Sequence, residues 1–166
     1  MNIKVALIGC GRIAGHHCAS ITATEGVELA AVCDLEVEKA EAYGAQFGVP
    51  AFADYRHMFD AHPDIDIAAV ITPSGMHSEH VLEVIRDYGK HAIVEKPTFM
   101  RPEQLVEAFK VADEAAREIF PVFQNRYNKA VSRVRDALAN NELGDTRIVS
   151  VRVRWCRPQR YYDMAP

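Results

Sequence analysis

The chain alternates short apolar runs with stretches in which apolar residues recur at helical spacing. Residues 4–8, 27–34, 65–71 and 92–94 are nearly continuous runs of Val, Ile, Leu and Ala, the character of strands buried on both faces. Between them, residues 13–23, 36–47 and 76–88 have helical spacing, with a short extended piece over 49–52 and a short helix over 54–59. Pro102 suits the first turn of a helix running to about residue 118, with Leu105, Val106, Phe109 and Ala112 expected on its buried side. Residues 119–123 predict one more strand. A further amphipathic helix should then present Ala130, Val131, Val134 and Leu138 as its apolar face and end near Gly144. This regular alternation of strand and helix predicts a doubly wound parallel sheet.

The rhythm changes after Gly144. Residues 146–157 alternate strictly, with Val149, Val151, Val153 and Trp155 on one face and Ser150, Arg152 and Arg154 on the other. That pattern predicts a half-buried strand opening a second, antiparallel layer. One long strand cannot bury its face alone, so residues 123–166 are expected to be the start of an incomplete α+β domain of a longer protein.

Composition narrows the classes of function. A chain of 166 residues can build a real core, and its net charge of −4 argues against a nucleic-acid binder that relies on neutralising phosphates. Cys10, Cys18, Cys33 and Cys156 form no C-x-x-C pair and suggest neither a zinc site nor a disulfide framework. His77 and His80 stand three apart on a predicted helix. With no third ligand in view they are expected to be polar positions at a helix start, and no metal is expected, His16, His17 and the His62-Pro63-Asp64 turn included. The first residues lack the signature of a signal peptide, and no stretch is long enough to span a bilayer, so a cytoplasmic location without membrane partners is expected.

The candidate chemistry starts where the first strand meets the first helix, at Gly9-Cys10-Gly11-Arg12-Ile13-Ala14-Gly15. Gly9 permits a tight turn, Gly11 lets the backbone approach a pyrophosphate, and Ala14 is small enough for close helix–strand packing. The helix start offers free N–H groups to the anion. Asp34 closes the second strand at about the 20-residue offset where an acidic side chain binds the adenosine ribose, and it could also cap the helix beginning at Leu35. No Arg follows it, which favours NAD over NADP. A Rossmann-type domain over residues 1–122 is the expected frame. Its ligand would lie beyond the carboxyl ends of the strands, where the loops after Ile8, Ile71 and Val94 converge. The last of these carries Glu95-Lys96-Pro97. Neighbouring strand residues face opposite ways, so Glu95 and Lys96 share a site only if the strand breaks there, and a cis bond before Pro97 is one way. An exposed charged pair at a strand end is the alternative. Arg152, Arg154, Arg157 and Arg160 make a basic patch, suited to a diphosphate-bearing substrate or to a solvated strand face.

Taken together, residues 9–14, Thr72-Pro73-Ser74-Gly75-Met76-His77, Gly89 to Pro97 and Gln124-Asn125-Arg126-Tyr127-Asn128 resemble the glucose-fructose oxidoreductase/inositol dehydrogenase (Gfo/Idh/MocA) superfamily. Residues 151–163 resemble its branch that oxidises the 3-hydroxyl of UDP-N-acetylglucosaminuronic acid. The resemblance implies NAD as cofactor, a sugar or sugar-nucleotide substrate and a homo-oligomeric full-length protein. It implies that Lys96 lies beside the nicotinamide and the reacting hydroxyl as the catalytic group. Gly9, Gly11, Arg12, Ile13, Ala14, Asp34, Thr72, Pro73, His77 and Glu95 would surround the cofactor, and Asn125, Arg126, Arg154, Arg157 and Tyr161 the substrate. The family's second catalytic group, a His often in an H-x-x-D setting, would come from the second domain. Lys129 and Arg101 depart from the usual pattern, the latter as a poor helix cap. An inositol or free-sugar dehydrogenase, a non-catalytic NAD sensor and a methyl-donor-binding protein are the other readings.

Overall fold

The structure, a computed structural model, describes residues 2–163. Its chain divides into two compact units at the Val122–Phe123 boundary.

In the first unit, β1 (Ile3–Ile8), β2 (Val27–Cys33), β3 (Ala51–Phe52), β4 (Ile67–Val70), β5 (His91–Val94) and β6 (Ile119–Pro121) form one six-stranded sheet in the order β3-β2-β1-β4-β5-β6. Every pairing is parallel. The helices between them are α1 (Ala14–Ala23), α2 (Val37–Phe47), α3 (Tyr55–Ala61), α4 (His77–Arg86) and α5 (Pro102–Ala115). This is the doubly wound sheet that the alternating pattern predicts.

The period of two along the strands splits the core in half. Val5, Leu7, Leu29, Val32 and Ala69 face α1 and α2, packing on Ala14, Cys18, Ile21 and Ala40. Ala6, Ile8, Ala31, Ala68, Val70, Ala92 and Val94 face the other way, onto Met58 and Phe59 of α3, Val81, Val84 and Ile85 of α4, and Ala108, Val111 and Ala112 of α5.

The buried side of α5 differs from the expected one. Ala112 is buried, but Leu105, Val106 and Phe109 are 44%, 68% and 38% exposed. The stripe 108-111-112 wins because its small residues let the helix lie close to the sheet, whereas the larger side chains are turned away. Arg101 is a poor cap on its own. Gln104 compensates, its side-chain oxygen accepting the N–H groups of Arg101 and Met100 at 3.0 and 3.1 Å. The helix stops at Ala115 because Ala116 takes a left-handed conformation.

The second unit holds a 3-10 turn over Gln124–Tyr127, α6 (Lys129–Ala139) and a short helix α7 (Gln159–Asp163). Asn128 caps α6 by accepting the N–H of Ala130. Its apolar positions Val131, Val134 and Leu138 are exposed, while Ala137 is buried. The strand expected over residues 146–157 does not form: these residues are exposed and without regular structure. An alternating segment becomes a strand only by hydrogen bonding to a neighbour, and none of the described residues pairs with it.

Candidate functional site

Parallel register brings the strand ends into line. Ile8 pairs with Cys33 on one side and Val70 on the other, Val70 pairs with Val94, and Val94 with Pro121. The loops leaving Ile8, Cys33, Val70 and Val94 therefore emerge along one edge, the carboxyl edge where a ligand binds in open α/β sheets.

Gly9 leaves β1 at φ +104, its N–H bonded to the Cys33 carbonyl at 2.8 Å. A Cβ there would stand 3.0 Å from the backbone of Ile71 and Thr72, so glycine is required by both torsion and space. Gly11, Arg12 and Ile13 are exposed, and nothing lies within 4 Å of a Cβ built on Gly11. Ala14 is fully buried at the start of α1. The loop has a brace that its spacing alone does not reveal: the Cys10 N–H donates to Asp34 Oδ2 at 2.6 Å. The Cys10 thiol points inward toward the Cys33 carbonyl at 3.7 Å, and burial pushes it up to about 12.

Asp34 does not cap α2. The helix begins at Val37 with Glu36 as its N-cap, and Asp34 Oδ1 instead accepts the Glu36 N–H at 2.9 Å, a tight side-chain turn before the helix. Each carboxylate oxygen has a second lone pair, and the side chain is half-buried, so capacity remains for ribose hydroxyls. Lys39 on α2 pairs with Glu36 at 2.6 Å. Open space before Gly11, the close fit at Gly9 and the spare acceptors of Asp34 match what a dinucleotide needs.

After β4, Thr72 and Pro73 lead through a 3-10 turn over Ser74–Met76 into α4. His77 and His80 stand at the start of α4, as expected, and both are buried. His77 is 1% exposed, with Nε2 at 2.8 Å from the Thr72 carbonyl oxygen and Nδ1 at 2.9 Å from that of Pro97. His80 Nδ1 meets Thr72 Oγ1 at 2.9 Å, its ring stands edge-on to Tyr55, and burial lowers its pKa.

At the end of β5, Glu95 is buried. Its Oε1 lies 3.1 Å from His17 Nε2 and its Oε2 accepts the Lys96 N–H at 2.8 Å. The Lys96–Pro97 bond is cis and Lys96 is exposed. The Thr98 hydroxyl is buried without a hydrogen-bond partner among the described residues. Glu95 and Lys96 are therefore not a solvated pair: one is tied inward to α1 and the other stands outward.

Gly9, Gly11, Arg12, Ile13, Ala14, Asp34, Thr72, Pro73, His77, Glu95 and Lys96 thus belong to one edge of one unit. Sequence reasoning missed His17. The signal was there, since 14, 17, 18 and 21 make one helical stripe and a His on a buried stripe needs a partner. Asn125, Arg126, Arg154, Arg157 and Tyr161 lie in the second unit. There Arg126 stacks over Phe123 at 5.3 Å and Arg157 over Trp155 at 5.0 Å, and Arg154 is exposed. Tyr161 falls in α7, its side chain outside the described residues. Among the described residues no cluster of three or more His, Cys, Asp or Glu could hold a metal ion, and no helix is long and apolar enough to cross a membrane.

A parallel sheet of this strand order, with a glycine turn after β1 braced by an acid at the end of β2, defines a dinucleotide-binding α/β domain. The chain belongs to the Gfo/Idh/MocA family, whose model, described as oxidoreductase family, NAD-binding Rossmann fold, matches residues 3–123. It is 36% identical to the WlbA dehydrogenase of Bordetella pertussis, a crystal structure in complex with NADH and UDP-GlcNAcA, at a TM-score of 0.91 over 99% of this chain and 50% of that one. Among curated relatives, it is 29% identical over 151 residues to D-glucoside 3-dehydrogenase of Escherichia coli (strain K12), covering 90% of this chain and 43% of the relative. It is 28% identical over 152 residues to glucose-6-phosphate 3-dehydrogenase of Bacillus subtilis (strain 168), covering 92% and 42%. The chain spans about half the length of the proteins it matches.

Proposed function

We propose that this chain is the NAD-binding part of a dehydrogenase that oxidises a secondary hydroxyl of a sugar nucleotide, specifically the 3-hydroxyl of UDP-N-acetylglucosaminuronate. The observation that carries the reading is the corner after β5. There Lys96 stands exposed on the edge that holds the glycine turn, while Glu95, His77 and Pro97 pin the backbone around it. Similarity to WlbA over nearly the whole chain supports the sugar-nucleotide substrate, and the two curated relatives support attack at a 3-hydroxyl.

Bound NAD would supply the hydride acceptor. The chain's own groups do the rest. The turn at Gly9, Gly11, Arg12, Ile13 and Ala14 offers backbone N–H groups to the pyrophosphate, and Asp34 accepts from the ribose. Thr72, Pro73 and Glu95 would line the nicotinamide side, with the sealed His77 behind them. Lys96 would accept the proton of the substrate hydroxyl as the hydride departs. Asn125, Arg126, Arg154, Arg157 and Tyr161 are the proposed substrate contacts. We assign the whole protein to the cytoplasm as a homo-oligomer, with its buried thiols Cys10, Cys18 and Cys33 reduced.

The test is made on the full-length enzyme. Asp34→Ala should weaken NADH binding about tenfold or more by calorimetry, equivalent to about 1.4 kcal/mol. Lys96→Met should keep NADH binding and lower turnover at least about 100-fold. Unchanged turnover would remove Lys96 as the catalytic group, and a full-length protein that binds NADH without turning over would leave a cofactor-binding sensor as the better account. A free sugar or inositol oxidised faster than UDP-N-acetylglucosaminuronate would move the substrate to the other branch of the family.

A further inference from the structure

Glu95 is the first residue past β5, and the alternation of that strand aims its side chain. Ile93, two positions earlier, packs in the half of the core that lies under α1 and α2. Glu95 shares that face and turns toward α1, where its side chain is only 10% exposed. A carboxylate so placed is costly unless its oxygens find donors. Both oxygens are met. Oε2 accepts the Lys96 N–H at 2.8 Å, and Oε1 lies 3.1 Å from His17 Nε2. This second bond stands in either charge state of the ring, because Nε2 carries a hydrogen in one neutral tautomer and in the cation alike.

His17 is held in turn by its helix. It lies on the stripe of α1 that carries Ala14, Cys18 and Ile21, all buried against the sheet. Ala14 opens α1, at the helix start proposed for the pyrophosphate, and His17 follows within the next turn. Two hydrogen bonds in series thus run from α1, through the Glu95 carboxylate, to the backbone of Lys96. The Lys96 side chain is exposed, so what places it is this backbone.

We propose that His17 is a positioning residue: through the Glu95 carboxylate it fixes the backbone of Lys96 relative to α1, and so aligns the lysine amine with a cofactor cradled at the start of that helix. The proposal rests on the reading of Lys96 as the group that accepts the substrate proton.

Two measurements on the full-length protein test it. His17→Phe keeps a ring and removes the donor, whereas His17→Gln sets an amide N–H near the place of Nε2. His17→Ala, which suits a helix, replaces the first variant if that one does not fold. The first measurement, made without cofactor, follows deuterium uptake in the peptide that carries Lys96 and Thr98. His17→Phe should speed this uptake about tenfold and leave a β1 peptide unchanged, and His17→Gln should restore the parental rate. Parental uptake in His17→Phe overturns the brace, and so does an equal rise in β1. The second measurement is turnover at saturating NAD and substrate. His17→Phe should lower it about tenfold or more while NADH affinity stays within about twofold, and in a Lys96→Met background it should lower it no further. Losses that multiply mean that His17 acts apart from Lys96, and they overturn the positioning role. If Lys96→Met turns over like its parent, the proposed function loses its catalytic lysine, while uptake in His17→Phe still decides whether the brace exists.

Discussion

Gly9 and Gly11 are two residues apart in one motif and do different work. Gly9 holds a torsion and a space that no side chain tolerates, at φ +104 and 3.0 Å from the backbone of Ile71 and Thr72. Gly11 faces open space. Gly9→Ala should therefore cost about 1–3 kcal/mol in urea unfolding. Gly11→Ala should change stability by less than about 0.5 kcal/mol and weaken NADH binding instead, because its methyl occupies the path of the pyrophosphate. A Gly11→Ala protein that binds NADH as tightly as its parent would remove Gly11 from the cradle. These glycines and Asp34 were legible because spacing alone places them at the ends of the first two strands. The braces were not. Neither the bond from Cys10 to Asp34 nor the His17–Glu95 contact has a local signature, since each joins residues far apart in sequence.

At the scale of elements, the helices show where pattern reading stops. In α5 the apolar positions could be joined into more than one stripe, and the volume of the side chains decided which stripe met the sheet. Ala108 is fully buried and Val106 is exposed. Ala108→Leu should overpack that contact and cost about 1–3 kcal/mol, whereas Val106→Ser should stay within about 0.5 kcal/mol. Thermal unfolding of the two variants separates them, and equal losses would mean that the helix is rotated from the described position. The strands of the first unit were legible because continuous apolar runs admit burial on both faces. Residues 146–157 carry an equally clear alternation yet form no strand. Alternation states which face would be buried and says nothing about whether a pairing partner is at hand.

For the molecule as a whole, His80 couples stability to pH. Burial comes first among the causes that lower its pKa from 6.5, with the nearby Glu79 and Glu83 opposing. The unfolded chain thus takes up a proton at a higher pH than the folded one does. The stabilisation is complete above about pH 6.5 and is lost as the pH falls from there through the folded value. Melting temperatures should drop on acidification below that point, and His80→Gln should flatten the drop. An identical slope in the variant would place the acid sensitivity elsewhere.

The sheet itself grades the molecule from centre to rim. β1 is hydrogen-bonded along both sides, to β2 and to β4, whereas β3 is an outermost strand of two residues. In deuterated solvent the amides of Ala6, Leu7 and Ile8 should be among the last to exchange, released only when the whole sheet opens, while those at the rim go early through local fluctuation. The turn that begins at Gly9 hangs from that last-released strand. Its geometry therefore outlives every partial opening of the sheet, and it should be ready to receive a dinucleotide whenever the rest of the domain is only loosely closed.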